Sequence, residues 1–372
     1  MEVKWGMKAS EKIKGIVFAY DTNGEYDMVK ELGVDVLGGS GGRQEFLEHM
    51  LAALQGKDHV DTLDNALRRR EFELLPPGGL EERTRAMLKV QDGCVNFCTY
   101  CIIPYTRGPV RSAPLADALA QARELAEMGY REIVVTGIEI ASWGADLPGK
   151  PPVKDLIAGL CEAVPELRIR LGSLEPRIVT EDFCRTLAGF PNLCPQFHLS
   201  MQSGCDTVLQ RMHRKYDTRR YYESVCLLRK FFPNCAITTD MIVAFPGETE
   251  AEFEESLAFI QKCAFADMHI FPYSIRPGTK AAAMAQVDMS VREERAARAA
   301  AVAERMHQGY LARCVGKTFP VLFEQDRGEG SVGHAPNYMP VTVGMKGLHN
   351  TVQNVRITAV DGDGLRGEPE ET

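Results

Sequence analysis

Residues 85–112 read RAMLKVQDGCVNFCTYCIIPYTRGPVRS, and the decisive part is GCVNFCTYC, from Gly93 to Cys101. A strand-like apolar segment ends at Asp92, and Cys94, Cys98 and Cys101 follow in the spacing C-x3-C-x2-C. This is the pattern of an iron-sulfur loop with one iron left open. A cubane of four irons needs four ligands, thiolates are the usual choice, and the loop offers three. The fourth iron is free to hold a substrate or cofactor. Zinc is the rival reading, but structural zinc takes four closed ligands, commonly paired C-x2-C or histidine at matching spacing, and no His lies between Asp92 and Arg111. A third reading is three buried thiols that happen to cluster, although free cysteine is usually a scattered small hydrophobe.

Outward from that loop the chain alternates short β-rich runs with helical patterns. AMLKVQDG, EIVVTGIEI, RIRLGSLEP, QFHLSMQSG, AITTDMIVAFPG and DMHIFPYS are separated by amphipathic stretches such as 114–129 and 250–262. Six consecutive βα units predict a parallel sheet, because parallel neighbours need a helical crossover. Right-handed crossovers of this number curl the sheet into part of a barrel. The expected fold is therefore α/β: a partial (β/α)6 barrel of the TIM type, with an N-terminal α/β fragment and a small C-terminal β-barrel. Chemistry in such folds sits at the C-terminal strand ends. There lie the cysteine loop, then Glu139, Glu175, Gln202, the FPGE segment, and Tyr273 with Arg276, each after its own strand.

Residues 1–75 read as two loose strand-helix pairs, GIVFAYD with EYDMVKELG and VDVLGG with RQEFLEHMLAALQ, ending at the turn signal PPGG. A helix from Ser290 to about Arg313 leads into TFPVLFEQ, MPVTVGM, VQNVRITAV and GLRGE, whose Gly-rich turns predict a small antiparallel barrel. Eleven cysteines without a secretory leader point to a reducing cytosol. No run approaches the roughly 18 apolar residues of a membrane span. The net charge of −8 argues against a general polyanion-binding surface, yet not against a local basic patch. One such stretch runs from Arg211 to Lys230, with seven Lys or Arg against two acids and Tyr216, Tyr221 and Tyr222 interleaved. Phosphate contacts plus stacking are what single-stranded RNA loops require. A solvated helix face explains the run equally well.

The segments QDGCVNFCTYCIIPYTRGPVRS, RIRLGSLEP, HLSMQSGCDTVLQRMHRKY, TTDMIVAFPGETEAEF, YSIRPGT and GHAPNYMPV together resemble the radical S-adenosylmethionine (SAM) superfamily. Within it the chain resembles the tRNA methylthiotransferases of the MtaB type, over roughly residues 30–370. QDGC, SLEP and HLSMQSGCD favour that type over the isopentenyladenosine and ribosomal-protein branches. The resemblance implies that Cys94, Cys98 and Cys101 hold a 4Fe-4S cluster whose open iron binds the amino and carboxylate groups of SAM. One electron then releases a 5′-deoxyadenosyl radical, the cofactor doing the hard chemistry while the protein positions and excludes water. Tyr100 matches the aromatic position that packs on adenine. Gly137 and Glu139 match the edge that receives the cofactor's ammonium, although this chain has GIEIASWG where the family more often has GIHLGSYG. Ser173, Glu175 and Gln202 are candidates for ribose and carboxylate contacts. Ala244 stands where the family has glycine.

The resemblance further implies a substrate in the tRNA anticodon loop, N6-threonylcarbamoyladenosine at nucleotide 37, with Arg211, Arg214 and Lys215 as RNA-contacting cations. It implies an electron donor such as flavodoxin or ferredoxin, a cytoplasmic monomer, and three domains: a partial N-terminal methylthiotransferase domain (1–75), the radical SAM core (80–312) and a TRAM-like barrel (313–372). The tail is not basic overall, with six basic and eight acidic residues from Arg313 onward, so its RNA role follows from resemblance alone. Family members carry three further cysteines in a complete N-terminal domain, for a second cluster that delivers sulfur. No cysteine precedes Cys94 here, and only Asp27 to Gln55 looks like that domain's end. The expectation is a truncated start or a lost sulfur-delivery cluster. The alternatives carried with it are a radical SAM enzyme lacking sulfur insertion and a non-catalytic tRNA-binding remnant.

Overall fold

The computed structural model describes residues 16–18, 35–55, 60–62, 64–77 and 83–370. The expected EYDMVKELG helix lies outside the described residues. Near the N-terminus, three short strands, β1 (Ile16–Phe18), β2 (Val36–Gly38) and β3 (Val60–Asp61), pair in parallel in that order, with helix α1 (Arg43–Leu54) after β2.

The central unit is built from six parallel strands: β4 (Arg85–Asp92), β6 (Glu132–Gly137), β7 (Arg168–Leu171), β8 (Gln196–His198), β9 (Ala236–Val243) and β10 (Asp267–Pro272). The bridges Ile169↔Leu193 and Leu174↔Leu199 join β7 to β8, so the six form one curved half-barrel. A short strand β5 (Arg111–Ser112) lies antiparallel on β4. Helices α2 (Ile103–Arg107) to α8 supply the connections. Among them α3 (Leu115–Glu127), α4 (Val153–Ala163), α5 (Glu181–Leu187) and α8 (Glu250–Cys263) each follow one strand, and α6 (Asp206–Arg211) and α7 (Thr218–Phe231) both follow β8.

Period-two patterning orients each strand. On β9 Ile237, Met241 and Val243 pack with the helices, whereas Thr238 and Asp240 face the concave side. Helix α3 buries Ala118, Ala122 and Leu125 on one stripe, and α4 buries Val153, Leu156, Ile157 and Leu160. Helix α8 starts with a capping box, in which the Thr249 hydroxyl accepts from Glu252 N and the Glu252 carboxylate accepts from Thr249 N.

Helix α9 (Met289–Cys314) leads into a closed barrel of β11 (Thr318–Arg327), β12 (Gly330–His334), β13 (Pro340–Val343), β14 (Val352–Asp361) and β15 (Gly364–Pro369), in the order β11-β12-β13-β15-β14. Two features correct the sequence reading. Strand β12, GSVGH, was not anticipated, because its glycines carry no β pattern. The barrel is not wholly antiparallel either: β13 and β15 close it in parallel, Val341 opposite Leu365.

This barrel seats against the N-terminal ends of the half-barrel strands. Glu132 is fully buried and accepts from Arg168 Nε at 2.8 Å and Arg170 Nε at 2.7 Å. Burial opposes its charge, and the two guanidiniums more than offset this, holding the carboxyl below its usual range. Arg168 Nη1 also donates to Pro320 O and His334 O, both at 3.1 Å, and Arg170 Nη1 to Pro336 O at 3.0 Å. Tyr338 lies under Arg170, 4.6 Å from its ring centroid, and under Arg85 at 5.2 Å.

Candidate active site at the cysteine loop

The end of β4 turns sharply at Gly93, whose φ of +75° is disfavoured for other residues and where a Cβ would stand 1.9 Å from Pro109 O. The turn is anchored by Asp92, which accepts from Gly93 N at 2.8 Å and pairs with Lys89 at 2.6 Å. Gln91 ties two loops together: its amide donates to Gly93 O at 2.6 Å, and its carbonyl accepts from Glu139 N at 2.7 Å. Gln91 and Asp92 were not singled out from sequence, although QDGC placed them next to the first cysteine.

Cys94, Cys98 and Cys101 are all free thiols, Cys98 buried and the others half-buried. Burial pushes Cys94 up to about 11 and raises Cys101, so each stays protonated unless a cation replaces its proton. Among the described residues no three His, Cys, Asp or Glu side chains converge on a single-ion site. A cluster takes one thiolate per iron, so three cysteines leave one iron of a cubane open. Cys101 N bonds back to Cys98 O at 3.0 Å, and Thr99 ties the loop to the end of α6 through its N to Met212 O at 3.1 Å and its hydroxyl to Arg211 O at 2.8 Å.

Like Glu248 after β9, Glu139 has a buried carboxylate oxygen free to accept. Its Oε2 accepts from the Ser142 hydroxyl, whereas Oε1 is buried without any partner. Burial pushes the carboxyl up to about 7. Cys94 and Glu139 act on one another electrostatically, and Glu175 and Arg214 both act on Glu139. A buried polar atom without a partner carries an energetic penalty; an ammonium donor would remove it. Gly137 lies so close to Gln91 that a Cβ would meet Gln91 O at 2.9 Å. Glu175 is buried and accepts from Arg177 Nε at 2.8 Å. Gln202 is half-buried with a left-handed φ of 69°, its backbone bridging to Asp240 and Ile242 of β9. Ser173 is exposed at the end of β7. Tyr100 packs edge-on against Phe245, with centroids 6.4 Å apart.

The structure separates the three expected RNA cations. Arg211 is paired bidentately with Glu252, at 3.0 and 2.8 Å. Arg214 turns toward the cysteine loop: Nη1 donates to Cys98 Sγ at 3.4 Å, Nε to Tyr216 Oη at 2.9 Å, and the guanidinium lies over the Tyr216 ring. Only Lys215 points outward, its Nζ 3.0 Å from His213 Nε2. Tyr216 and Tyr221 are buried and unavailable for base stacking.

A parallel half-barrel with a three-cysteine loop at its mouth defines a radical SAM protein, and residues 88–260 match the family described as the Radical SAM superfamily. The chain is 36% identical over 330 residues to threonylcarbamoyladenosine tRNA methylthiotransferase MtaB of Bacillus subtilis strain 168, covering 87% of this chain and 72% of the relative. The Chlamydia pneumoniae protein of the same name is 38% identical over 291 residues, covering 77% and 68%. A tRNA-2-methylthio-N(6)-dimethylallyladenosine synthase of Pelobacter propionicus is 35% identical over 325 residues, covering 86% and 73%. The chain belongs to the radical SAM methylthiotransferases of the MtaB type. A 4Fe-4S cluster and SAM are the cofactors of this class. No helix among the described residues is long and apolar enough to cross a membrane.

Proposed function

We propose that the chain methylthiolates tRNA, converting N6-threonylcarbamoyladenosine at position 37 to its 2-methylthio derivative. The observation that carries this reading is the three-thiol loop at the C-terminal mouth of the half-barrel, beside the unpartnered Oε1 of Glu139. The MtaB relatives support the choice of substrate. Cys94, Cys98 and Cys101 would hold the cluster, and Tyr100, Gly137, Glu139, Ser173, Glu175 and Gln202 would receive SAM. When bound, the two cofactors would supply reductive cleavage of the sulfonium, hydrogen abstraction at adenine C2 and the transferred methyl group, while the sulfur atom would have to come from a separate donor, the part that a second cluster plays in the family.

The chain's own residues bind and orient. Glu139 Oε1 accepts a proton-bearing nitrogen, a charge-assisted contact. Gly137 leaves room for Gln91, whose carbonyl holds the Glu139 N–H, and Tyr100 gives an aromatic wall backed by Phe245. Arg214 sets a positive charge against Cys98 rather than against RNA. Lys215 is the outward cation of the expected trio and the one suited to a phosphate. The same reading assigns 1–75 to a partial methylthiotransferase domain, 80–312 to the radical SAM core and 313–372 to a TRAM-like barrel. It makes the protein a cytoplasmic monomer served by flavodoxin or ferredoxin.

The eight remaining cysteines are dispersed along the sequence without the spacing of the first triad. Iron content therefore belongs in the test. Anaerobically reconstituted protein should hold about four irons per chain and release 5′-deoxyadenosine, and Cys98→Ala should abolish both. Mass spectrometry of nucleosides from a deletion host carrying the chain should show the methylthio nucleoside. Parental cleavage by Cys98→Ala would overturn the cluster assignment, and cleavage without methylthio product would favour a radical enzyme lacking sulfur insertion.

A further inference from the structure

At the opposite end of the half-barrel from the cysteine loop, a cavity of ≈ 200 Å³ opens between the core and the base of α9. Its lining includes Arg229, Arg313 and Lys317 and no acidic residue. Each cation is bonded only to neutral groups. Arg229 Nη2 donates to Cys263 O at 2.5 Å and Ala264 O at 2.8 Å, Arg313 Nη1 to Gly309 O at 3.1 Å, and Lys317 Nζ to Asn234 Oδ1 at 2.8 Å. Among the described residues none of the three forms an ion pair. Elsewhere Arg168, Arg170, Arg211, Arg295 and Arg298 are matched to carboxylates, while Arg220 and Arg292 also bond neutral groups but do not line this concavity. With a net charge of −8 the chain has acids to spare.

Helix ends account for part of this. Arg229 caps the carbonyls at the end of α8, and Arg313 lies in the last turn of α9, where the dipole favours cations. That explains why each sits at a helix terminus. It does not explain why three of them line one acid-free concavity. Each retains unused donors: Arg229 its Nη1 and Nε, Arg313 its Nη2 and Nε, and Lys317 two ammonium protons. Ile237, Ala266 and Phe319 add an apolar lining. The volume falls below the roughly 300–1,000 Å³ of sites that enclose a whole small molecule, so the fit is to one compact anionic group.

We propose that this cavity is a phosphate-binding site whose donors are Arg229, Arg313 and Lys317. It lies at the start of β9, a strand of eight residues, hence about 26 Å from the C-terminal mouth at ~3.3 Å per residue. It is therefore separate from the cofactor site. The phosphate could belong to the RNA backbone far from the modified nucleotide, an option that rests on the tRNA reading above, or to a free phosphorylated small molecule.

The test uses the full chain and three probes: pyrophosphate, a complete tRNA and its isolated anticodon stem-loop. Pyrophosphate should bind in a salt-sensitive way, and Arg229→Gln with Lys317→Gln should weaken it at least tenfold, whereas Arg229→Lys with Lys317→Arg should retain it. Ala264→Asp sets a carboxylate at the rim without removing a cation, at a φ of 49° that Asp tolerates better than most. It should cause the same loss should the double variant misfold. A parallel loss for complete tRNA but not for the stem-loop identifies RNA backbone as the source; a loss confined to pyrophosphate identifies a small molecule. Either supports the site. No pyrophosphate binding at low salt, or equal binding by the parent, the neutral double variant and Ala264→Asp, would overturn it. Failure of tRNA methylthiolation with pyrophosphate binding intact would count against the functional reading alone.

Discussion

Arg214 donates through Nη1 to Cys98 Sγ at 3.4 Å, held there by Tyr216 Oη at 2.9 Å and by its stacking over the Tyr216 ring. Partners of a metal-ligating side chain typically change metal affinity or activity about 10–100-fold when removed. Arg214→Gln should keep all three thiols and take up iron, yet lower 5′-deoxyadenosine release by about that factor. Affinity for tRNA should be unchanged. Normal cleavage with weakened RNA binding would restore Arg214 to an RNA-contacting role.

Ala244 occupies the left-handed region, with φ of 53°, where glycine would be unstrained. An L-residue there is disfavoured by roughly 1–2 kcal/mol, and glycine returns about 0.4–1 kcal/mol of that through its freer unfolded chain. Ala244→Gly should raise stability by about 0.5–1 kcal/mol, read as a higher urea midpoint with unchanged slope. A lower midpoint would mean that the methyl group contributes packing that outweighs its strain.

Glu252 joins the capping box of α8 to Arg211, whose hydrogen bonds hold its carboxyl at about 2, against an ordinary 4.5. A depressed acid contributes its stability above pH 4.5 and loses it as pH falls from there toward 2. Glu252→Gln keeps a capping amide but not the charge. It should cost about 0.5–1 kcal/mol at neutral pH, the range for a partly exposed pair, and flatten the stability profile between those two pH values. Circular dichroism melts across that window would show it, and an unaltered profile would mean the pair is fully screened.

Glu132 is the anion on which Arg168 and Arg170 depend. Removing one member of a buried ionic group costs about 3–5 kcal/mol, because the other charges are left uncompensated. Glu132→Ala should approach that loss in denaturant unfolding. A loss under 1 kcal/mol would indicate that the carbonyls of Pro320, His334 and Pro336 satisfy the two arginines unaided.

Much of the half-barrel was legible because its strands are short apolar runs and its helices repeat every three to four residues, both local signals. The cysteine loop was legible for the same reason, its spacing being a property of eight consecutive residues. What failed were relations between distant positions. Arg211 and Glu252 are 41 residues apart, and Arg214 and Cys98 are 116 apart. A count of charges along 211–230 therefore showed a basic run but not that two of its cations were already committed. The parallel β13–β15 closure escaped for a similar reason, since alternation marks a strand without naming its neighbour. Strand β12 had no alternation to read.

The buried arginines at the foot of the half-barrel also set an order of events during synthesis. Arg168 and Arg170 leave the ribosome about 150 residues before the carbonyls of Pro320, His334 and Pro336 that complete their bonding. Until that later stretch emerges, the earlier one holds two guanidiniums around one carboxylate with donors unmet. A nascent chain released before Pro320 would thus lack part of its own central unit, not merely an appendage. Completion of the last barrel therefore supplies the acceptors that Arg168 and Arg170 otherwise lack.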